Sequence, residues 1–218
     1  MICYTIGHST RNLNEFITIL EEYRIDYLID IRSKAITSNK YTEKFNRRDL
    51  ENKLKDNKIK YFYFGEELGE IRKDGRVLDE EVNVDFHKVI ECNLFKKGIH
   101  QIIQMLREKR RVVLMCSERN PLNCHRSILV GYTLSRKGIY MEHIIDESAS
   151  KSQSRIEEEI FLTYEPILKG ELVKVSMQDV LNSTEYDDIS PKDSKRKIIE
   201  YGYNMKWKEI ISRNRLKV

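Results

Sequence analysis

An apolar, β-branched run that stops at a cysteine constrains this chain more than any other feature. Arg111-Val112-Val113-Leu114-Met115-Cys116 reads as a buried strand, because its apolar residues follow one another without polar alternation. A loop containing Pro121 follows. Cys124-His125-Arg126 then opens an apolar segment, Ser127 to Leu134, whose length and content suit a buried helix. The order strand, loop, helix places the reactive residue types at the joints.

Other segments repeat that rhythm. Ile2 to Ile6 reads as a strand ending at Gly7-His8-Ser9-Thr10. Asn12, with Glu15 three residues on, starts a helix that carries Leu13, Phe16, Ile17 and Leu20 at helical spacing. Tyr27 to Arg32 is a second strand with Asp30 and Arg32 at its carboxyl end, and Ile59 to Phe64 a third. Arg48 to Asn57 reads as a helix, and Asp85 to Lys109 as a long helical region interrupted near Gly98. Gly138 is the expected C-cap before a fifth strand, Tyr140 to Ile145. The polar stretches Ser33 to Asn46 and Gly65 to Asp79 read as loops, the first long enough for a lid or binding segment. Strands alternating with helices imply an α/β fold with a mainly parallel central sheet covered on both faces.

Beyond Asp146 the character changes. The expected organisation is an α/β domain over residues 1–146, a serine-rich polar linker over 147–154, and a helical, basic extension over 155–218. That extension holds an amphipathic helix from Arg155 to Leu168, a polar and acidic stretch from Leu181 to Lys192, and a basic helix from Lys195 to Lys217.

Composition narrows the function class. With 218 residues, 40% apolar and 34% charged, the chain suits a globular protein with a heavily charged surface. No stretch approaches the roughly 20 apolar residues that span a bilayer. The start, Met1-Ile2-Cys3-Tyr4-Thr5-Ile6, lacks the pattern of a secretory signal, so the expected location is the cytoplasm, with no membrane partner. Cys3, Cys92, Cys116 and Cys124 are too few and too scattered for a disulfide framework, and free thiols are expected. A net charge of +4 permits an anionic partner without demanding one. The sequence specifies no cofactor and no oligomeric state.

In a parallel sheet, ligands bind beyond the carboxyl ends of the strands. Gly7-His8-Ser9, Asp30-Ile31-Arg32, Cys116-Ser117-Glu118 and His143 all fall there and are expected to share one crevice. The catalytic candidates are Cys116, Cys124 and His125; the substrate-binding candidates are His8, Ser9, Asp30, Arg32, Glu118 and Arg126. A thiol at a strand end that feeds a helix can be held as thiolate by backbone N–H groups and by Arg119 or Arg126. It can equally be a buried packing residue. His125 is either a general base or a ring bonded to a loop carbonyl. Arg126 is either an anion fork or a salt-bridge partner of Asp30 or Glu118. Asp30, in an apolar strand, needs a partner, and Arg32 is the nearest. Cys3 and Cys92 are assigned to packing, His87 and His100 to the surface. Seven residues separate Cys116 from Cys124, a spacing outside the common closed zinc patterns, so no metal is assigned.

Three ordered motifs resemble a known family: Tyr4-Thr5-Ile6-Gly7-His8-Ser9, Leu28-Ile29-Asp30-Ile31-Arg32-Ser33, and Cys116-Ser117-Glu118-Arg119-Asn120-Pro121 leading into Cys124-His125-Arg126. They are similar to those of domain-of-unknown-function family 488, over about the first 146 residues. The resemblance implies a compact Rossmann-like, three-layer α/β domain with a polar cleft formed by these motifs, and it implies no reaction. Two loops depart from the family: Lys34 to Ser38 lacks a proline, and Leu68-Gly69-Glu70 has one glycine where the family tends to have two.

Two functional readings follow. In the first, an enzyme uses the Cys116, Cys124, His125 and Arg126 region on a small anionic ligand, a nucleotide or a nucleic-acid-like substrate. Cysteine phosphatases and rhodaneses also place a catalytic Cys after a central strand. Here, however, Leu122 stands where the phosphatase loop requires Arg, so thiol transfer or ester hydrolysis is an analogy. In the second, the chain is a non-catalytic nucleotide-sensing or nucleic-acid-binding module. Its tail then supplies charge from Lys192, Lys195, Arg196, Lys197, Lys206, Lys208, Arg213, Arg215 and Lys217, and stacking surfaces from Tyr201, Tyr203 and Trp207.

Overall fold

Side chains alternate along the central strand β4 (Val112–Cys116). Val112, Leu114 and Cys116 enter one hydrophobic core, while Val113 and Met115 enter another on the opposite face. That double burial explains its unbroken apolar run. The computed structural model describes residues 1–71, 84–179 and 191–215.

β4 lies inside a six-stranded sheet of order β3-β2-β4-β1-β5-β6, formed with β1 (Ile2–Gly7), β2 (Tyr27–Asp30), β3 (Lys60–Tyr63), β5 (Tyr140–Ile144) and β6 (Ser150–Ser152). β1 to β5 are mutually parallel. β6 runs antiparallel to β5, with His143 opposite Lys151, so part of the polar stretch read as a linker is an edge strand.

α1 (Leu13–Glu22) and α2 (Arg47–Asp56) cover one face. Asn12 caps α1 by accepting the Asn14 N–H at 2.8 Å, and Phe16, Ile17, Ile19 and Leu20 pack with Leu50, Leu54, Leu28 and Val113. Glu15 pairs with Arg11 at 3.3 Å. The other face carries α3 (Gly65–Leu68), α4 (Phe86–Glu91), α5 (Asn93–Arg107), α6 (Tyr132–Arg136), α7 (Gln153–Asp179) and α8 (Pro191–Arg215). The fold is therefore a Rossmann-like three-layer α/β arrangement with a mainly parallel sheet.

Several local expectations are corrected. The helical region breaks at Cys92, which is extended at ψ 132°, and Gly98 lies inside α5. A Cβ on Gly98 would stand 2.8 Å from Glu67 and 2.9 Å from Leu68, so the glycine serves the packing of α3 on α5. α3 occupies the start of the segment read as a loop; the rest of that segment, from 72 to 79, lies outside the described residues, as do 181–190 and Lys217. Within the long polar loop, Glu43–Phe45 forms a 3-10 turn that buries Phe45.

α7 and α8 dock on the sheet. Ile156, Ile160, Ile199, Tyr203, Trp207 and Ile210 belong to the same core as Leu114 and Cys116. Tyr203 and Trp207, read from sequence as stacking surfaces, are buried to 0% and 1% exposure and pack around Phe86. Among the described residues no helix is long and apolar enough to cross a membrane.

Candidate functional site

The chain leaves β1 and β2 toward the α1/α2 face and leaves β4 toward the opposite face, so the switch of direction falls where β4 lies between them. Connections that diverge there open a crevice at the carboxyl ends. From Cys116 the chain passes through a 3-10 turn, Pro121–Asn123, capped by Asn120, whose side chain accepts the Leu122 N–H at 3.0 Å. Cys124 is extended, and Arg126–Gly131 then winds as a π-helical segment into α6. π turns inside helices recur at functional sites.

This path returns His125 to Cys116, with Nδ1 3.5 Å from Sγ. The ligating atoms of Cys116, Cys124 and His125 all lie within 4.8 Å of one another, and all three residues are buried. The far side of the imidazole fixes its orientation, because Nε2–H donates to the Ile31 carbonyl at 3.0 Å. Nδ1 is thereby aimed at the thiols. Glu70 closes the group from outside, with Oε2 3.2 Å from Nδ1. That oxygen is buried and accepts no hydrogen bond among the described residues.

Burial by itself would lower the His125 pKa, but the Glu70 charge and Cys124 outweigh it and hold the ring at about 9. Burial raises the Cys116 thiol, and the neighbouring Cys124 adds to the rise. Burial works the same way on Cys124, yet the hydrogen bond from Cys116, the Arg126 charge and His125 prevail and hold it well below the ordinary thiol range.

Arg126 is fully buried. Its Nη1 donates to the Glu118 carbonyl and its Nη2 to the Arg119 carbonyl at 2.9 Å, so it holds the loop after β4 by its backbone. Its Nε has no hydrogen-bond partner among the described residues.

His8, Asp30 and Arg32 form a separate cluster on the α1/α2 face. Arg32 forks onto Asp30, with Nε to Oδ1 at 2.9 Å and Nη2 to Oδ2 at 2.5 Å, and the Tyr61 hydroxyl donates to Oδ2 at 2.8 Å. The expected partner of Asp30 is the one found. His8 stacks on Phe45 with ring centroids 4.4 Å apart. Its Nδ1 donates to the Ser9 carbonyl at 2.8 Å, which leaves Nε2 to accept from Arg32 at 3.2 Å. Burial, with the Arg32 charge, lowers its pKa to about 4. Ser9 turns the chain there at a left-handed φ of 48°.

A cavity of about 190 Å³ opens onto the thiols and is lined by Glu70, Cys116, Ser117, Glu118, Asn123, Cys124, His125, Ile210 and Arg213. His8, Ser9, Asp30, Arg32 and Arg126 are not among the residues that line it, although Arg32 and His8 feel the charges of Cys116 and Cys124. The faces remain joined through backbone: the His8 N–H donates to the Cys116 carbonyl at 2.9 Å, and Ile31 supplies the His125 contact. His143 sits elsewhere, in the strand interior, between Thr5 Oγ1 and Gln153 Oε1 at 2.7 Å each. Sequence reasoning missed Glu70, Ile210 and Arg213 as site residues. Glu70 was noted only as part of a variant loop, and nothing local marks Ile210 or Arg213, which tertiary packing alone delivers.

A family model described as "Domain of unknown function DUF488" matches residues 12–133, more than half of the chain. The match begins after Gly7-His8-Ser9 and includes β2, β4 and the Cys116–Cys124–His125 path. No curated protein and no solved structure matches the chain.

Proposed function

The chain belongs to the DUF488 family of domains of unknown function, and we propose from its site that it is a Cys-dependent enzyme, of hydrolase or transferase type, acting on a small anionic substrate. The observation that carries this reading is the buried triangle of Cys116, Cys124 and His125 at the floor of a cavity with Arg213 at its edge. Two thiols and an imidazole packed this closely, with the ring orientation fixed by a backbone carbonyl, form a reactive centre more than a packing motif. The cavity of about 190 Å³ beside the thiols has room for a phosphate- or carboxylate-sized group.

The alternative, nucleic-acid binding by the tail, is less well supported. Tyr203 and Trp207 are core residues, Lys206 pairs with Glu209 at 2.8 Å, and Lys195 lies over the Phe161 ring. Lys195, Arg196, Lys197 and Lys208 do remain exposed.

Alkylation kinetics test the enzyme reading. In metal-free, reduced protein at neutral pH, Cys116 or Cys124 should react with iodoacetamide well before Cys3 and Cys92, and inorganic phosphate should protect it. Equal, slow labelling of all four cysteines would remove the basis for the reading.

A further inference from the structure

We propose that the Cys116–Cys124–His125 centre is a zinc site with three protein ligands and one open position facing the cavity. The inference rests on the reading of this cluster as the reactive centre and names the cation class it holds. The donor set is two sulfurs and one nitrogen, the borderline-soft combination that suits Zn²⁺.

The geometry agrees with tetrahedral coordination. Zinc–sulfur and zinc–nitrogen bonds of about 2.3 and 2.05 Å, opened at the tetrahedral angle, set sulfur and nitrogen about 3.5 Å apart. Cys116 Sγ and His125 Nδ1 are 3.5 Å apart, and the third ligand atom, Cys124 Sγ, is within 4.8 Å of both. The second shell is in place as well. Metal-bound histidines usually donate their other N–H to a carbonyl or carboxylate, and His125 Nε2–H donates to Ile31 at 3.0 Å.

Two further groups fit this assignment. Glu70 Oε2, buried and without a hydrogen bond among the described residues, lies 3.2 Å from His125 Nδ1, beside the cluster and at the cavity lining. Two thiolates cancel the charge of Zn²⁺, and the buried Arg126, whose charge acts on both sulfurs, offsets Glu70. Loading releases to solvent whatever protons the two thiols and His125 Nδ1 carry in the metal-free chain and leaves two sulfurs and one nitrogen as ligands, so the zinc-bound and alkylatable forms are two states of one centre.

The sequence spacing concealed this site because the ligands come from separate elements: Cys116 from the end of a strand, and Cys124 and His125 from the start of the next helix. The spacing rules for closed structural sites describe loops that supply ligand pairs locally.

The test uses the full chain, stripped of metal under reducing conditions and titrated with Zn²⁺ against a chromophoric chelator. One Zn²⁺ per chain should bind. Cys116→Ser or Cys124→Ser should weaken binding by more than the roughly 10- to 100-fold that loss of a second-shell partner costs. Cys3→Ser and Cys92→Ser should leave it unchanged. Co²⁺ added to the native chain should give thiolate-to-cobalt charge-transfer bands and intense tetrahedral visible bands, a readout that stands even if the serine variants fail to fold. The proposal is overturned if the native chain takes no Zn²⁺, if binding survives both serine substitutions, or if Co²⁺ shows no thiolate band. Fast alkylation of the metal-free chain without zinc binding would remove the zinc site and keep the thiol enzyme. Zinc binding with uniformly slow alkylation would do the reverse.

Discussion

Gly7 and Glu118 approach so closely that a Cβ on Gly7 would stand 1.9 Å from the Glu118 carbonyl oxygen. That carbonyl accepts from the buried guanidinium of Arg126, so the end of β1 sets the position of the loop that follows the reactive strand. Gly7→Ala should therefore push the Glu118 loop away and loosen Arg126. Overpacking of this kind costs about 1–3 kcal/mol, to be read by urea denaturation. A variant as stable as the native chain would show that the loop yields freely.

Asp30 and Arg32 predict a non-additive pair. Removing the carboxylate alone, as in Asp30→Ala, leaves Arg32 buried without its counter-charge and should destabilise by about 3–5 kcal/mol. Replacing both residues with apolar side chains should cost less than the sum of the single substitutions. Additive losses would mean that the bidentate contact contributes nothing beyond its parts.

His143 gives the chain a pH-dependent stability. Burial, with the Arg126 charge, lowers its pKa to about 3, while in the unfolded chain it titrates near 6.5. Between those values the unfolded state binds the extra proton. The contribution of His143 is therefore fully present above about pH 6.5 and is lost as pH falls toward 3, by at most about 1.4 kcal/mol per pH unit. Denaturation midpoints at pH 7, 6, 5 and 4 should fall faster for the native chain than for His143→Gln; parallel curves would assign the acid loss to other groups.

Arg213 reaches the cavity from α8 and is exposed, so its removal bears on ligand more than on fold. Arg213→Ala should leave stability within about 0.5 kcal/mol and weaken the protection that inorganic phosphate gives the thiols. Unchanged protection would exclude Arg213 from anion binding.

Trp207 ties α8 to the rest of the molecule, with Nε1–H donating to the Val84 carbonyl at 2.6 Å and the indole 1% exposed. Trp207→Ala should cost about 3–5 kcal/mol. Because Ile210 and Arg213 lie on the same helix, it should also speed alkylation of Cys116 and Cys124. A stable variant with unchanged labelling would show that α8 does not close the site.

The sequence by itself determined the elements and the residue types at their ends. Apolar runs at Ile2 to Ile6, Tyr27 to Ile31, Val112 to Met115 and Tyr140 to Ile145 had to be buried strands, and Asn12 was legible as a helix start, because burial and capping act over a few neighbouring residues. It also showed that Cys116, Cys124, His125 and Arg126 flank one strand-to-helix crossing. Tertiary structure decided the rest. Alternation of side chains across the sheet sends Asp30 with Arg32 and His8 toward one face, as a paired charge cluster, and Cys116 toward the other, into the thiol centre. Packing of α8 brings Arg213 to the cavity, and the loop after α3 brings Glu70 to His125. Such contacts depend on strand order and on which face each connection crosses, and no local pattern of residues encodes either.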